Sequence, residues 1–236
     1  MTTVLPTDPS RLFGPPSPGV PLPLNGLWTR RFDQKGKSWS PFASLEVPVT
    51  EQIMLSGSLR YSDEKRRGRA RSFNDGVFPP TYLPYDLIET RKESLWDYSL
   101  RARYEFTRDA YVYLSYATGT KGGGFVSNDA LLLYNIRNGF ASFQFDSERA
   151  RSWEIGGKFR FLDGKGQFNI ALFRTNFSDL QVSEYNGTAF ITGNAASAIS
   201  QGVEVDTDIG IGDNWRIGGS LGYLDAQYKE YPGGGC

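Results

Sequence analysis

The chain has 236 residues, of which 39% are hydrophobic and 14% aromatic, and its mean hydropathy is −0.42. No stretch approaches the roughly 20 consecutive apolar residues that a membrane-spanning helix needs, so helical membrane spans are excluded. The 26 basic and 26 acidic residues leave a formal net charge of zero, which argues against a nucleic-acid-binding protein that must neutralise many phosphates.

The first part of the chain is rich in proline. Pro15, Pro16, Pro18, Pro21 and Pro23 follow one another closely, and proline has a fixed φ and no backbone N–H to donate. We therefore predict an irregular loop or arm over residues 1–37 and a β-domain over residues 38–236.

Beyond this arm the sequence predicts eight β-strands. Each is a run in which apolar and polar residues alternate, bounded by residues that favour turns. The predicted strands are Ser38–Val47, Ile53–Lys65, Glu93–Phe106, Ala110–Lys121, Ser147–Phe161, Gln167–Tyr185, Ala189–Ile211 and Trp215–Lys229.

The connections between these strands alternate in length. Short ones lie at Pro48–Gln52, Thr107–Asp109, Leu162–Gly166 and Gly212–Asn214, and long ones at Arg66–Lys92 and Gly122–Asp146. The link Asn186–Thr188 is an exception, because it is short where a long one is expected. Asp163 and Gly164 tolerate positive φ and suit a hairpin turn. Short turns at one end and long loops at the other are typical of an antiparallel up-and-down barrel in an outer membrane.

Most strands divide into an apolar and a polar row of side chains. Successive side chains of a strand point to opposite faces. In the third strand one row is Trp96, Tyr98, Leu100, Ala102, Tyr104 and Phe106, whereas the other contains Asp97, Arg101, Arg103 and Glu105. The second, fifth, seventh and eighth strands divide in the same way, and none of their apolar rows contains a charge. A lysine or arginine on the lipid face near the bilayer midplane costs about 2 to 4 kcal/mol, so lipid favours this segregation.

Two strands fit this division less well. In Ala110–Lys121, Tyr111 and Tyr113 stand opposite the apolar row, and in Gln167–Tyr185 Arg174 continues a row of apolar residues. A bulge or a position at the membrane rim would explain either departure.

The positions of aromatic residues distinguish a membrane barrel from a half-buried sheet in water, whose strands also alternate. Trp96 and Trp153 stand at the loop end of their apolar rows, and Phe106, Phe161 and Trp215 at the turn end. Ten residues separate Trp96 from Phe106, which at about 3.3 Å per residue and a tilt of roughly 40° spans near 25 Å, the height of a lipid-facing band. Two such aromatic girdles are expected at the two membrane interfaces.

Several segments follow one another in an order that is specific to one family. They are Tyr113–Phe125, Ser152–Lys158, Leu162–Gly164, Asp179–Val182, Ser200–Glu204 and Gly219–Ala226. Over roughly Trp39–Cys236 the chain thereby resembles the barrel of TonB-dependent outer-membrane receptors of the iron-siderophore type. Ala196 and Ile199 depart from the glycine and the basic residue that the family often carries there.

The resemblance implies a 22-stranded barrel in the outer membrane, filled by an amino-terminal plug. It also implies uptake of a scarce ligand such as a ferric siderophore, with energy relayed through the TonB complex. Since about eight strands and no plug are seen, we expect an all-β chain that forms part of a larger transmembrane β-barrel. Its partners would be outer-membrane lipid, and TonB and the plug in the full-length parent.

Candidate ligand contacts are the charged residues of the polar rows, which would face the lumen. They are Arg60, Arg101, Arg103, Glu105, Glu154, Lys158, Arg160, Glu204, Asp206 and Arg216. They could guide an anionic ligand or contact a plug, although such charges more often pair across strands and keep the lumen wet.

Enzyme activity, metal sites and cofactor sites are not predicted. The chain has no histidine, and its single cysteine, Cys236, has no internal partner. No nucleophile is placed beside a base. Two other hypotheses remain open: a small closed barrel of eight strands with a structural role, and a soluble extracellular β-domain that binds a partner.

Overall fold

The computed structural model describes residues 2–4, 26–76, 84–126, 143–185, 190–212 and 214–231. These residues form twelve β-strands, and none of them belongs to a helix that is long and apolar enough to cross a membrane. The strands are β1 (Thr2–Val4), β2 (Gly26–Trp39), β3 (Phe42–Pro48), β4 (Ile53–Gly76), β5 (Tyr85–Thr107), β6 (Ala110–Lys121), β7 (Gly124–Phe125), β8 (Gln144–Phe145), β9 (Glu148–Phe161), β10 (Gly166–Tyr185), β11 (Phe190–Ile211) and β12 (Trp215–Glu230).

Ten of these strands form one antiparallel sheet in the order β1-β2-β4-β5-β6-β9-β10-β11-β12, with β3 also paired to β4. Because β2 and β3 pair with successive parts of β4, they act as one strand with a break at Ser40 and Pro41. Across this break the N–H of Tyr61 donates to the carbonyl of Pro41 at 3.1 Å. The sheet therefore has eight long strands that run up and down in chain order, which confirms the predicted all-β fold class.

Three strands are longer at the loop end than predicted. β4 extends to Gly76 and β5 begins at Tyr85, so most of the long connection predicted at Arg66–Lys92 is paired strand. Residues 26–37, which we expected to belong to an irregular arm, form most of β2, and residue 37 is therefore not a structural boundary. The physical reason is that polar and ionic pairs hold this part of the sheet together, so it shows no apolar alternation.

The predicted short turns are present at one end of the sheet. Leu162 and Asp163 both have φ of 53° and Gly164 has φ of 84°, and the N–H of Lys165 donates to the carbonyl of Leu162 at 3.0 Å. Gly212 also adopts a positive φ, of 62°. Positive φ suits these tight turns and accounts for the glycines. The predicted link Asn186–Thr188 lies outside the described residues.

The outer edges of β3 and β12 have no strand partner among the described residues. Within the described ranges, β12 pairs with β11 alone, and no ladder joins it to β2 or β3. Side chains of β3 are exposed on both faces, as are nearly all of those of β12. The eight strands thus form an open sheet, which contradicts the hypothesis of a small closed barrel.

The buried apolar core is small and lies at the loop end. Ala70, Phe125 and Phe143 form a cluster against which Phe32, Tyr85 and Leu87 pack. The segment between β6 and β9 supplies Phe125 and Phe143, and their rings lie 5.2 Å apart. The described parts of this connection, residues 122–126 and 143–147, therefore lie over the inner surface of β4 and β5.

Candidate functional site

The strand register brings all the predicted apolar rows to one face of the sheet. One unbroken row of directly paired residues crosses the eight long strands: Val47, Leu55, Ala102, Leu114, Ile155, Leu172, Val203 and Tyr223. Several members are well exposed, including Ile155 at 53% and Tyr223 at 68%. A soluble protein rarely exposes an apolar surface that spans a whole sheet, so this outward face fits lipid.

Aromatic rings form a band along the loop end of the outward face. Tyr61 contacts Trp39 and Trp96, with ring centroids 5.6 Å and 4.7 Å apart. On the neighbouring strands, the Tyr116 ring lies 5.8 Å from that of Tyr98 and 4.6 Å from that of Trp153. This band, which we call the upper girdle, extends over five adjacent strands and matches the prediction of an aromatic interface belt.

A second group of rings lies at the turn end. Tyr104 and Phe106 are 4.9 Å apart, and Phe159 and Phe168 are 6.3 Å apart. Trp215, at the start of β12, is 75% exposed. An aliphatic band between two aromatic belts is the arrangement expected at the two surfaces of a bilayer.

The opposite face carries all the predicted candidate residues. The register places Arg60, Arg101, Arg103, Glu105, Glu154, Lys158, Arg160, Glu204, Asp206 and Arg216 on this inward face. Whether they contact a ligand stays a prediction.

A polar cluster on β5, β6 and β9 joins several of these residues. The Tyr113 hydroxyl donates to Glu154 Oε1 at 2.7 Å. The Arg101 guanidinium stands over the Tyr113 ring at 4.9 Å, and that of Arg103 over the Tyr111 ring at 5.4 Å. The two tyrosines that disturbed the predicted alternation of β6 are therefore inward polar partners, and no bulge or rim position is needed to explain them.

A groove at the turn end brings other candidates together. It has a volume of about 240 Å³, and its lining includes Glu105, Lys158 and Arg160 together with Asn169. The amide of Asn169 donates to Asp206 Oδ1 at 2.7 Å. This groove is open to the inward face and offers both signs of charge.

The remaining candidates lie apart from these two groups. Arg216 forms an ion pair with Asp208, which leaves little of its charge for a ligand. Arg60 on β4 and Glu204 on β11 are both exposed. The register therefore divides the candidate set into two local groups and a few separate residues.

The sequence interpretation missed a network of ion pairs and hydrogen bonds at the loop end of the inward face. Arg66 donates to the carbonyl of Gly123 at 2.6 Å, and Glu93 accepts from the Gly123 N–H at 3.0 Å. Arg91 forms ion pairs with Glu93 and, at 2.9 Å, with Asp146. Burial raises the pKa of Glu93, but the Arg91 guanidinium outweighs burial and holds the pKa below its ordinary value.

Two amides fasten the same segment to the other side of the sheet. The Gln181 side chain donates to the carbonyls of Gly122 and Asp146 at 3.2 Å and 3.0 Å. The Asn194 side chain donates to the carbonyls of Asp146 and Asp179, each at 2.8 Å. The only sequence signal for this network was the alternation of charges along β4 and β5. That signal does not identify the partners of these charges, because the partners lie far apart in sequence.

The sequence of this sheet matches that of a known protein family. The sequence model described as TonB dependent receptor-like, beta-barrel matches residues 4–235. The chain belongs to the TonB-dependent receptor family. TonB-dependent receptors are receptors and transporters of the outer membrane of Gram-negative bacteria, and this is where the chain resides.

Two curated siderophore receptors resemble the chain in sequence. The probable TonB-dependent siderophore receptor PiuA of Acinetobacter baumannii is 28% identical over 137 residues, which is 56% of this chain and 17% of that protein. The catecholate siderophore receptor Fiu of Escherichia coli is 27% identical over 194 residues, which is 78% of this chain and 25% of that protein. The chain therefore spans a quarter or less of these relatives.

A solved uptake receptor shares the fold. The ferric yersiniabactin uptake receptor FyuA of Yersinia pestis superposes with a TM-score of 0.70 at 18% identity, covering 86% of this chain and 28% of that one. At this identity the likeness concerns the fold alone, and it agrees with eight adjacent strands of a larger barrel.

Proposed function

We propose that this chain forms eight consecutive strands of the barrel of a larger receptor that takes up a scarce ligand. We further propose that the ligand is a ferric siderophore and that TonB relays the energy for its entry. The observation that carries the first proposal is the pair of open sheet edges at β3 and β12.

Open edges are unfavourable in lipid. Backbone N–H and C=O groups that face hydrocarbon without partners cost several kcal/mol each, so sheets that span membranes are closed. The apolar row reaches both edge strands, at Val47 and Tyr223, and both edges therefore run through the lipid-facing band. Further strands of the same receptor would pair with these edges and close a wider barrel.

The inward face supports a wide, wet interior. Its middle row contains Ser56, Arg101, Ser115 and Glu154 in direct cross-strand register. Long charged side chains need water or polar partners, whereas an eight-stranded barrel is filled by its own side chains. In the proposed receptor these residues would face the plug or the path of the ligand.

The siderophore assignment rests on the sequence relatives. Both curated relatives are described as siderophore receptors, and one of them is specified as a catecholate receptor. A ferric catecholate carries negative charge, and the arginines of the inward polar cluster would attract it.

The test is iron uptake by cells. The receptor that contains these strands is produced in an iron-starved host without its own catecholate receptors, and uptake of radioactive iron is measured with ferric catecholates as the source. The proposal predicts uptake that disappears when TonB is deleted. Failure to take up any ferric siderophore, although the receptor is present in the outer membrane, would contradict the ligand assignment.

A further inference from the structure

A band of basic side chains lies on the outward face, immediately on the loop side of the upper girdle. We call this set the basic band; it consists of Lys35, Lys37, Lys65, Arg67, Lys92, Arg149, Arg151 and Arg174. Each points the same way as the girdle, because side chains an even number of residues apart share a face. Lys37 is two residues from Trp39, for example, and Arg174 is directly paired with Trp153.

The basic band brings like charges next to one another. Lys65 is paired with both Lys37 and Lys92 across two ladders, and Arg67 is paired with Lys35. Like charges that stand directly opposite each other destabilise a sheet. Within the described part of the chain, no member of the band forms an ion pair with an acidic residue, although Asp63 lies at the same height.

Basic residues farther from the girdle are neutralised within the protein. Arg69 forms an ion pair with Asp86 at 2.6 Å, and Arg71 forms one with Asp33 at 2.7 Å. On the outward face of β2, β4 and β5, acidic partners are thus present above the basic band and are not seen for the described members of the band itself. A counter-anion from the membrane would explain the difference.

A groove within the basic band has the lining that a phosphorylated headgroup needs. The β5–β6 ladder ends at Ser99 and Ala117, and beyond that point the Thr118 hydroxyl accepts from the Tyr98 N–H at 2.9 Å. The opening of about 300 Å³ beside this point is lined by Trp96, Tyr98, Thr118, Thr120, Arg149 and Arg151 among others. Guanidinium groups bind phosphate oxygens in pairs, and the aromatic rings suit the less polar remainder of a headgroup; the Thr120 hydroxyl donates to Asp97 at 2.9 Å within the protein.

We propose that the basic band binds the phosphate groups of outer-leaflet lipids, and that the groove between β5 and β9 holds one such headgroup. The proposal rests on the membrane placement of this face. Juxtamembrane lysines and arginines strengthen association with anionic lipid by about five-fold each.

The test uses the receptor that contains these strands, reconstituted in phosphatidylcholine bilayers with spin-labelled lipids. Electron spin resonance measures the fraction of label that is immobilised by the protein, for phosphatidic acid and for phosphatidylcholine. We expect the receptor to prefer phosphatidic acid by at least about five-fold at low salt. R149Q/R151Q and, separately, K37Q/K65Q should each lower this preference several-fold. The matched control is R108Q/K165Q, which removes two exposed basic residues at the turn end.

Three results would overturn the lipid site. They are no preference for phosphatidic acid in the unchanged protein, an equal loss of this preference in the control, and no loss of it in either R149Q/R151Q or K37Q/K65Q. Inorganic phosphate is compared with chloride at equal ionic strength, and a preference abolished by phosphate alone would assign the site to free phosphate instead. A signal from immobilised phosphatidylcholine shows that the protein is inserted in the bilayer. If this signal is absent, the membrane placement is refuted together with the lipid site. If the signal is present but phosphatidic acid is not preferred, only the lipid site is refuted.

Discussion

The two faces of the sheet should respond differently to the same introduced charge. Leu55 and Ser56 are adjacent on β4, and they lie in the apolar and polar rows that cross the middle of the sheet. Leu55 is paired with Ala102 on the outward face and Ser56 with Arg101 on the inward face. We therefore compare Leu55→Arg with Ser56→Arg, which place one guanidinium at nearly the same depth on opposite faces.

The expected magnitude follows from this depth. The two girdles are represented on β5 by Trp96 and Phe106, so the midplane lies near residue 101, one ladder position from Leu55. An arginine on the lipid face at the midplane costs about 2 to 4 kcal/mol. We expect Leu55→Arg to lower the free energy of unfolding by that amount and Ser56→Arg to lower it by less than about 1 kcal/mol, because water reaches the inward face.

The assay is urea unfolding of the receptor that contains these strands in lipid vesicles, followed by tryptophan fluorescence. The difference between the two variants is the decisive quantity, since both carry the same added side chain. Equal losses of stability, or a greater loss for Ser56→Arg, would refute the assignment of faces.

Two further predictions concern polar contacts. Tyr113→Phe removes the hydrogen bond to Glu154 but keeps the ring, so it should lower the free energy of unfolding by about 1.5 to 3 kcal/mol. The control is Tyr111→Phe, because the Tyr111 ring likewise lies beneath an arginine. An equal loss of stability in both variants would contradict the reasoning. The hydrogen bond from Arg69 holds the pKa of Asp86 below its ordinary value of 3.8, so this contact stabilises the upper part of β4 and β5 above that pH and is lost as the pH falls through the lowered pKa. Hydrogen exchange, corrected for its intrinsic pH dependence, should show constant protection there from about pH 7 to about pH 5 and a decline only in stronger acid; a decline within the upper range would be contrary to this account.

The sequence predicted the membrane-facing part of the fold well because lipid imposes a strict rule there. On β9, Trp153 and Ile155 alternate with Ser152 and Glu154, and the structure keeps this division throughout. The turn at Asp163 was predictable for a similar reason, since positive φ restricts the choice of residue.

The strand extensions at the loop end escaped prediction because their outward face is polar and their inward face is covered by Phe125 and Phe143, which are distant in sequence. Arg31 and Asp33 lie on the outward face of β2, where ion pairs stand in place of an apolar row, so no apolar alternation marks this segment as a strand. Their pairing depends on partners about forty residues away, as Arg71 shows for Asp33. Local periodicity carries no information about such contacts.

The inward network was also beyond the sequence interpretation. Gly123 was correctly placed at the start of a loop, yet its contacts with Arg66 and Glu93 depend on how the whole segment folds back over β4 and β5. Parity alone predicted that the candidate charges share one face of the sheet. Their division into separate clusters required the register between strands.

The most direct test of the central claim is the environment of spin labels on the two faces. With Cys236 replaced by serine, single cysteines are introduced at Leu100, Ile155 and Ile217 on the outward face and at Ser220 on the inward face, and labelled in a membrane-inserted sample. The account predicts that the three outward labels relax with oxygen, which dissolves in lipid, while the label at residue 220 relaxes with a water-soluble nickel chelate. Relaxation of the outward labels by the nickel chelate would contradict it.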